Sequence, residues 1–206
     1  MNANERSYYF SADSSARLFY QVGSLLAVLG VHKGEREVYI IGDGARWIRN
    51  WYKDLPVAGK SMALCWYHLI DSCHQLLISS LGREISFRVE NRLLSKLWRG
   101  DVSGALLWRG DVSGALAELA SHKDLVINKG KFHKLPPDLS ARLSARRPFI
   151  TNYEMRRCDD QWIASTGVEK FNDGSVASRC KGQGRSWGAA GVKAIAVLVA
   201  ACGAQW

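Results

Sequence analysis

A helix-dominated α/β fold is expected of this chain, on three observations. Val38-Tyr39-Ile40-Ile41 is a β-branched and aromatic run without polar alternation, the pattern of a strand buried on both faces as in a parallel sheet. A second such run, at about Ser61 to Trp66, follows a short helical stretch, giving the order β-α-β-α. From residue 84 to about 158 the strand signals vanish and helical patterning takes over. The 206 residues, 47% hydrophobic and 23% charged, suit one globular domain with an inserted subdomain and exclude disorder, collagen and a coiled coil.

The elements follow in order. Ser11 or Asp13 can cap a helix whose apolar residues Leu18, Phe19, Val22, Leu25, Leu26 and Leu29 recur at three-and-four spacing, and Gly30 stops it. The first strand ends in Gly42-Asp43-Gly44. A short helix from Ala45 to Tyr52 leads through Pro56 to the second strand, and a longer helix runs from Tyr67 to Leu81 with Gly82 as its cap. Lys134-Leu135-Pro136-Pro137 reads as a linker within the helical part. Two last helices, roughly Gly167 to Cys180 and Gly188 to Cys202, are separated by the basic Lys181-Gly182-Gln183-Gly184-Arg185. Gly174 inside the first of these costs about 1 kcal/mol relative to Ala. The expected division is therefore 1–83, the first part of an α/β core; 84–158, an all-helical insertion; and 159–206, the closing helices of the core.

One repeat stands out. Leu97 to Leu106 and Leu107 to Leu116 are both LWRGDVSGAL, and perfect identity over ten residues is the mark of an in-frame duplication and not of a solenoid. The repeated Arg-Gly-Asp is expected to be a helix stop followed by an Asp N-cap, and not an adhesion signal. The second copy has to be absorbed as an extra turn or loop, because ten residues would rotate the downstream face of a continuous helix by about 80°.

Charge points to a polyanion. Twenty-eight Lys and Arg against 19 Asp and Glu give +9. Lys129 to Arg157 carries +6 and Lys170 to Lys193 carries +4, so the rest of the chain sums to −1. The apolar run Ala194 to Ala204 falls short of the ~20 residues of a membrane span, and the N-terminus lacks the apolar core of a signal peptide, so a cytoplasmic protein with no membrane partner is expected. Five cysteines, odd in number and without a CxxC pair, argue against disulfides and a zinc ribbon. Cys65 and His68, at a strand-to-helix junction, offer a thiol nucleophile and base as a minor alternative.

Asp43 stands at the C-terminal end of a parallel strand, where open α/β sheets place ligands, although Gly-Asp-Gly is also an ordinary turn. Glu169 stands in the first turn of a helix, where the dipole favours a carboxylate in any case. The ordered segments Ile41-Gly42-Asp43-Gly44-Ala45-Arg46-Trp47-Ile48, Trp66-Tyr67-His68-Leu69, Leu97-Trp98-Arg99-Gly100-Asp101-Val102, Asn152-Tyr153, Gly167-Val168-Glu169-Lys170-Phe171-Asn172-Asp173, and Arg179 with Gly184-Arg185-Ser186-Trp187 resemble DDE-type transposases of bacterial insertion sequences.

That resemblance runs from about Tyr8 to the C-terminus. It implies a ribonuclease-H-like core with a helical insertion, and DNA cleavage and strand transfer with Mg²⁺ or Mn²⁺. Asp43 and Glu169 would be the second and third acids of the triad, holding metal. Two ions about 4 Å apart would need both carboxylates in one cleft. Lys170, Arg179, Lys181 and Arg185 would neutralise phosphates of the element's DNA ends, and Trp187 would stack on a base or anchor the last helix. A homo-oligomer is compatible with the resemblance. Tyr8-Tyr9-Phe10 reads as the end of a third strand, so the first catalytic Asp is missing, and Cys65 stands where related sequences often carry an acid. The expectation is a C-terminal part of a transposase, inactive alone, with a non-enzymatic DNA-binding remnant as the alternative.

Overall fold

The computed structural model describes residues 14–31, 36–99, 110–121, 135–181, 184 and 186–202. Helix accounts for most of them, beside a two-stranded parallel sheet. The chain divides into two compact units. One draws on the stretches Met1–Arg36, Asp54–Ala58 and Ser165–Trp206, the other on Glu37–Lys53 and Gly59–Ala164.

The second of these units is built on the sheet. β1 (Val38–Gly42) and β2 (Lys60–Leu64) run parallel, with Val38 opposite Lys60 and Gly42 opposite Leu64. The Cys65 amide carries the ladder one residue further by donating to the Gly42 carbonyl at 2.7 Å. Ile40, Met62, Ala63 and Leu64 are buried, as unalternated apolar strands require. Between the strands α2 (Arg46–Asp54) lays Ile48 against Gly42, where an added Cβ would lie 3.1 Å from the Ile48 Cδ1.

After β2 the helical hydrogen bonding runs from Trp66 to Trp98 as α3 and passes through Gly82 without the expected stop. The helix is nevertheless not a rod. The Trp66 and Trp98 rings lie 4.9 Å apart, whereas a straight helix would separate these residues by about 48 Å. His74 Nδ1 lies 2.9 Å from Glu90 Oε2, and the Ser86 hydroxyl donates to the Leu77 carbonyl at 2.9 Å. Each pair is centred on residue 82 to within half a residue, so α3 is a helical hairpin whose arms fold together about Gly82. Sequence reading placed the interruption correctly and its form wrongly: the arms reverse without leaving helical hydrogen bonding. Along them Leu69, Cys73, Leu77, Leu81, Val89, Leu93 and Leu97 form a buried stripe with a four-residue repeat.

Three further helices complete this core. α4 (Val112–Ser121) supplies Val112, Ala115 and Leu119, and α5 (Leu135–Arg146) supplies Leu139 and Leu143. The expected linker around Pro136-Pro137 is instead the opening turn of α5, where proline's missing amide costs nothing. A 3₁₀ turn at Arg147–Phe149 precedes α6 (Tyr153–Cys158), which is capped by Asn152 accepting from the Met155 amide at 3.0 Å. Tyr153 is fully buried, packs against Trp66 and Trp98, and donates its hydroxyl proton to the Leu64 carbonyl at 2.9 Å. It fastens α6 to the end of β2.

The duplicated decapeptide meets itself at the α3–α4 junction. Leu97 and Trp98 of the first copy close α3, and Asp111 of the second caps α4 by accepting from the Gly114 amide at 2.6 Å, as expected of the Gly-Asp pattern. Arg99 and Asp111 are twelve residues apart, yet the Asp111 amide donates to the Arg99 carbonyl at 3.1 Å. The two ends of the intervening stretch therefore adjoin. Gly110 is required at this point, because an added Cβ would lie 2.6 Å from the Leu97 carbonyl oxygen and 2.8 Å from Ile150 Cγ2.

In the other unit α1 spans Ser15–Val28, capped by Ser14, whose hydroxyl accepts from the Arg17 amide at 3.4 Å. Ser11, Asp13 and the expected strand at Tyr8-Tyr9-Phe10 lie outside the described residues. Gly30 takes φ +75°, the left-handed conformation of a helix stop. α7 (Thr166–Asn172) continues through a π-helical segment, Asp173–Ala177, into a helical turn, Ser178–Cys180. Gly174, a poor α-helix former, sits in that π segment. α8 (Ala189–Cys202) packs against the π segment.

Candidate functional site

Asp43 stands where β1 ends, exposed, with Oδ1 accepting from the Ala45 amide at 2.7 Å. This Asx turn leads the chain from strand into α2. Gly44 follows at φ +78°, and a Cβ there would lie 2.8 Å from Leu64 Cδ1 and 3.4 Å from Arg146 Nε. Arg146, the last residue of α5, is thus pressed against the strand-end turn. Its pKa is lowered by burial first, then by the Arg142 and Arg49 guanidiniums, while Asp43 and Cys73 oppose the shift. The Arg49 Nε–H is buried with no acceptor among the described residues. Arg146 is the basic side chain that this turn meets.

A divalent cation at Asp43 would need further oxygen ligands beside it. A Mg²⁺ or Mn²⁺ site needs several hard carboxylate oxygens and a net negative surround. Asp43 has one oxygen committed to Ala45, and among the described residues it joins no group of three or more carboxylate, thiol or imidazole ligands.

Glu169 lies in α7, exposed, in the first turn where the helix dipole favours a carboxylate, and its Oε1 accepts from the Ser165 hydroxyl at 3.0 Å. It belongs to the other compact unit from Asp43. Lys170 and Lys181 are exposed near the two ends of the α7 to Cys180 segment. The Arg179 guanidinium, also exposed, donates to the Gly174 carbonyl within the π segment. Trp187 lies just before α8 with its ring against Gly191, where an added Cβ would be 3.0 Å from the indole, so it anchors the helix while remaining half-exposed. Arg185 lies outside the described residues.

Cys65 stands at the N-cap position of α3 and is fully buried, which closes its thiol to a substrate and removes support for a Cys65–His68 hydrolase. Cys73 is also buried, and its thiol is pushed up to about 12 chiefly by burial, reinforced by Glu90 and opposed by Arg146.

Sequence reasoning missed the placement of Arg146, because nothing local signals that this residue of the basic stretch comes against Gly44 at the end of β1. Tyr153 carried a signal, as part of the family-like segments, and its observed role is structural.

Comparison with protein-family models, with curated proteins and with solved structures found no match. Among the described residues, no helix is long and apolar enough to cross a membrane.

Proposed function

We propose that this chain is a DNA-binding part of a DDE-type transposase that does not cleave DNA on its own. The carrying observation is the exposed basic set Lys170, Arg179, Lys181 and Lys193, distributed along one unit whose segment from Lys170 to Lys193 holds a single acid, Asp173. Such a set contacts backbone phosphates, giving affinity and positioning without reading sequence. The resemblance of the Gly-Asp-Gly-Ala-Arg-Trp-Ile and Gly-Val-Glu-Lys-Phe-Asn-Asp segments to insertion-sequence transposases supplies the rest of the reading: a ribonuclease-H-like ancestry, the DNA ends of a mobile element as partner, and Asp43 and Glu169 as positions inherited from a metal-holding triad. The two parallel strands and the helices between and after them are compatible with that ancestry.

The test is DNA binding by fluorescence anisotropy across a salt series. If four phosphates are neutralised, the log–log slope is about −3.6, and combined Lys170→Gln, Arg179→Gln and Lys181→Gln substitutions reduce both slope and affinity. Salt-independent binding, or none at low salt, refutes the reading. In parallel, incubation with Mg²⁺ or Mn²⁺ and DNA carrying candidate element ends is expected to give no cleavage; cleavage abolished by Asp43→Ala would restore a catalytic role to that residue.

A further inference from the structure

We propose that the groove between the second arm of α3 and α4 is a binding pocket for a small phosphomonoester. A cavity of about 530 Å³ opens there, within the size range of small-molecule sites. Arg92, Lys96 and Arg99 line it from α3, and Asp111 and Glu118 from α4. The sequence explains the cationic wall: residues four and three apart share a helix face, and the stretch 91–99 contains no acid to answer its three cations. The groove is held in shape, because the Asp111 amide donates to the Lys96 and Arg99 carbonyls at 3.1 Å each and so ties the start of α4 to the end of α3. It also spans the duplication, with Arg99 coming from the first decapeptide and Asp111 from the second.

Charge decides the ligand. Both acids of the wall are engaged: Glu118 Oε1 lies 3.6 Å from Arg92 Nη1, and Asp111 Oδ1 accepts from the Gly114 amide at 2.6 Å as the cap of α4. No acid among the described residues pairs with Lys96 or Arg99. Arg99 offers a planar fork of paired N–H donors and Lys96 a compact point charge, and together they suit a dianionic oxygen cluster. A phosphomonoester carries about −1.5 to −2 at neutral pH, whereas a backbone phosphodiester carries a single charge. Asn91 and Ser95, on the same wall, present neutral donors and acceptors to a hydroxyl-bearing remainder such as a sugar. The inference does not rest on the nucleic-acid reading, because that reading uses residues of the other unit.

The experiment uses the full chain. Ribose 5-phosphate is titrated at constant ionic strength, followed by calorimetry and thermal unfolding, with ribose and sodium chloride as comparisons and a short DNA duplex without terminal phosphates as a second arm. Ribose 5-phosphate is expected to bind and to raise the unfolding temperature, and ribose to do neither. Lys96→Gln and Arg99→Gln are each expected to weaken binding at least tenfold, while Arg88→Gln, exposed on the same arm of α3 but outside the pocket wall, leaves it unchanged. Arg99 is exposed, so Arg99→Gln keeps the unfolding temperature of the ligand-free chain, which separates loss of the ligand from loss of the fold. No response beyond that to ribose and chloride, or parental affinity in either glutamine variant, overturns the pocket. Duplex binding as tight as that of ribose 5-phosphate, and lost with the same two substitutions, assigns the groove to backbone phosphate and overturns the monoester.

Discussion

Excision of residues 100–109 should leave the fold intact and make it more stable. Because the two decapeptides are identical, any ten-residue excision beginning between Leu97 and Leu107 yields the same shortened chain, in which Arg99 is followed directly by the Gly-Asp that caps α4. The structure indicates that this join is already made in space: the Asp111 amide reaches the Arg99 carbonyl at 3.1 Å and the Lys96 carbonyl at 3.1 Å. With Arg99 bonded to Gly110, the first contact becomes the hydrogen bond of a γ-turn, from residue i+2 to residue i. Bringing together the ends of ten intervening residues costs at most (3/2)RT ln n, about 2 kcal/mol for ten residues. The shortened chain should gain up to that amount, raising the unfolding temperature by roughly 4–8 °C at this chain length. Thermal unfolding monitored by circular dichroism, with both chains at equal concentration, measures it. A fall in unfolding temperature, or loss of cooperative unfolding, would show that the ten residues support the α3–α4 junction, and the reasoning would be wrong.

Three further outcomes are expected. Tyr153→Phe removes the hydroxyl that donates to the buried Leu64 carbonyl, at a cost of about 1–3 kcal/mol read from denaturant unfolding; an unchanged midpoint would show that the bond is not formed in solution. Gly110→Ala drives a Cβ against the Leu97 carbonyl and Ile150, costing about 1–3 kcal/mol as overpacking does, whereas the same substitution at open Gly174 should be neutral or stabilising, since Ala is the better helix former there. Burial raises the Cys73 thiol to about 12 and, opposed by Arg156, the Tyr39 hydroxyl to about 12. The unfolded chain gives up these protons near their ordinary values, 9.0 and 10.0, so the stabilisation is complete below about pH 9 and declines as pH rises towards 12. A Cys73→Ala, Tyr39→Phe variant should lose less stability than the parent between pH 9 and 11, and an identical decline in both would refute the assignment.

Much of this protein is written locally. The parallel strands follow from two unalternated apolar runs, since a strand covered on both faces has no place for a polar residue. The helix boundaries at Gly30 and Asn152, the Asp111 cap and the start of α8 follow from caps and stops whose hydrogen bonds close within four residues. The basic bias of the C-terminal half is likewise a property of composition. What tertiary structure alone decided is where distant pieces meet. Gly82 marks a break in helical patterning, but that Trp66 and Trp98 touch across it depends on which faces of the two arms carry the four-residue apolar stripe and find each other. Pro136 and Pro137 look like a linker until α5 has Leu139 and Leu143 to bury, which draws them into its first turn. Asp43 is in sequence an acid at a strand end, and only the fold brings Arg146, from the end of α5, against the turn that follows it. Spacing along a chain fixes which residues share a face of one helix; electrostatic potential sums over every element that converges, and convergence is a long-range property.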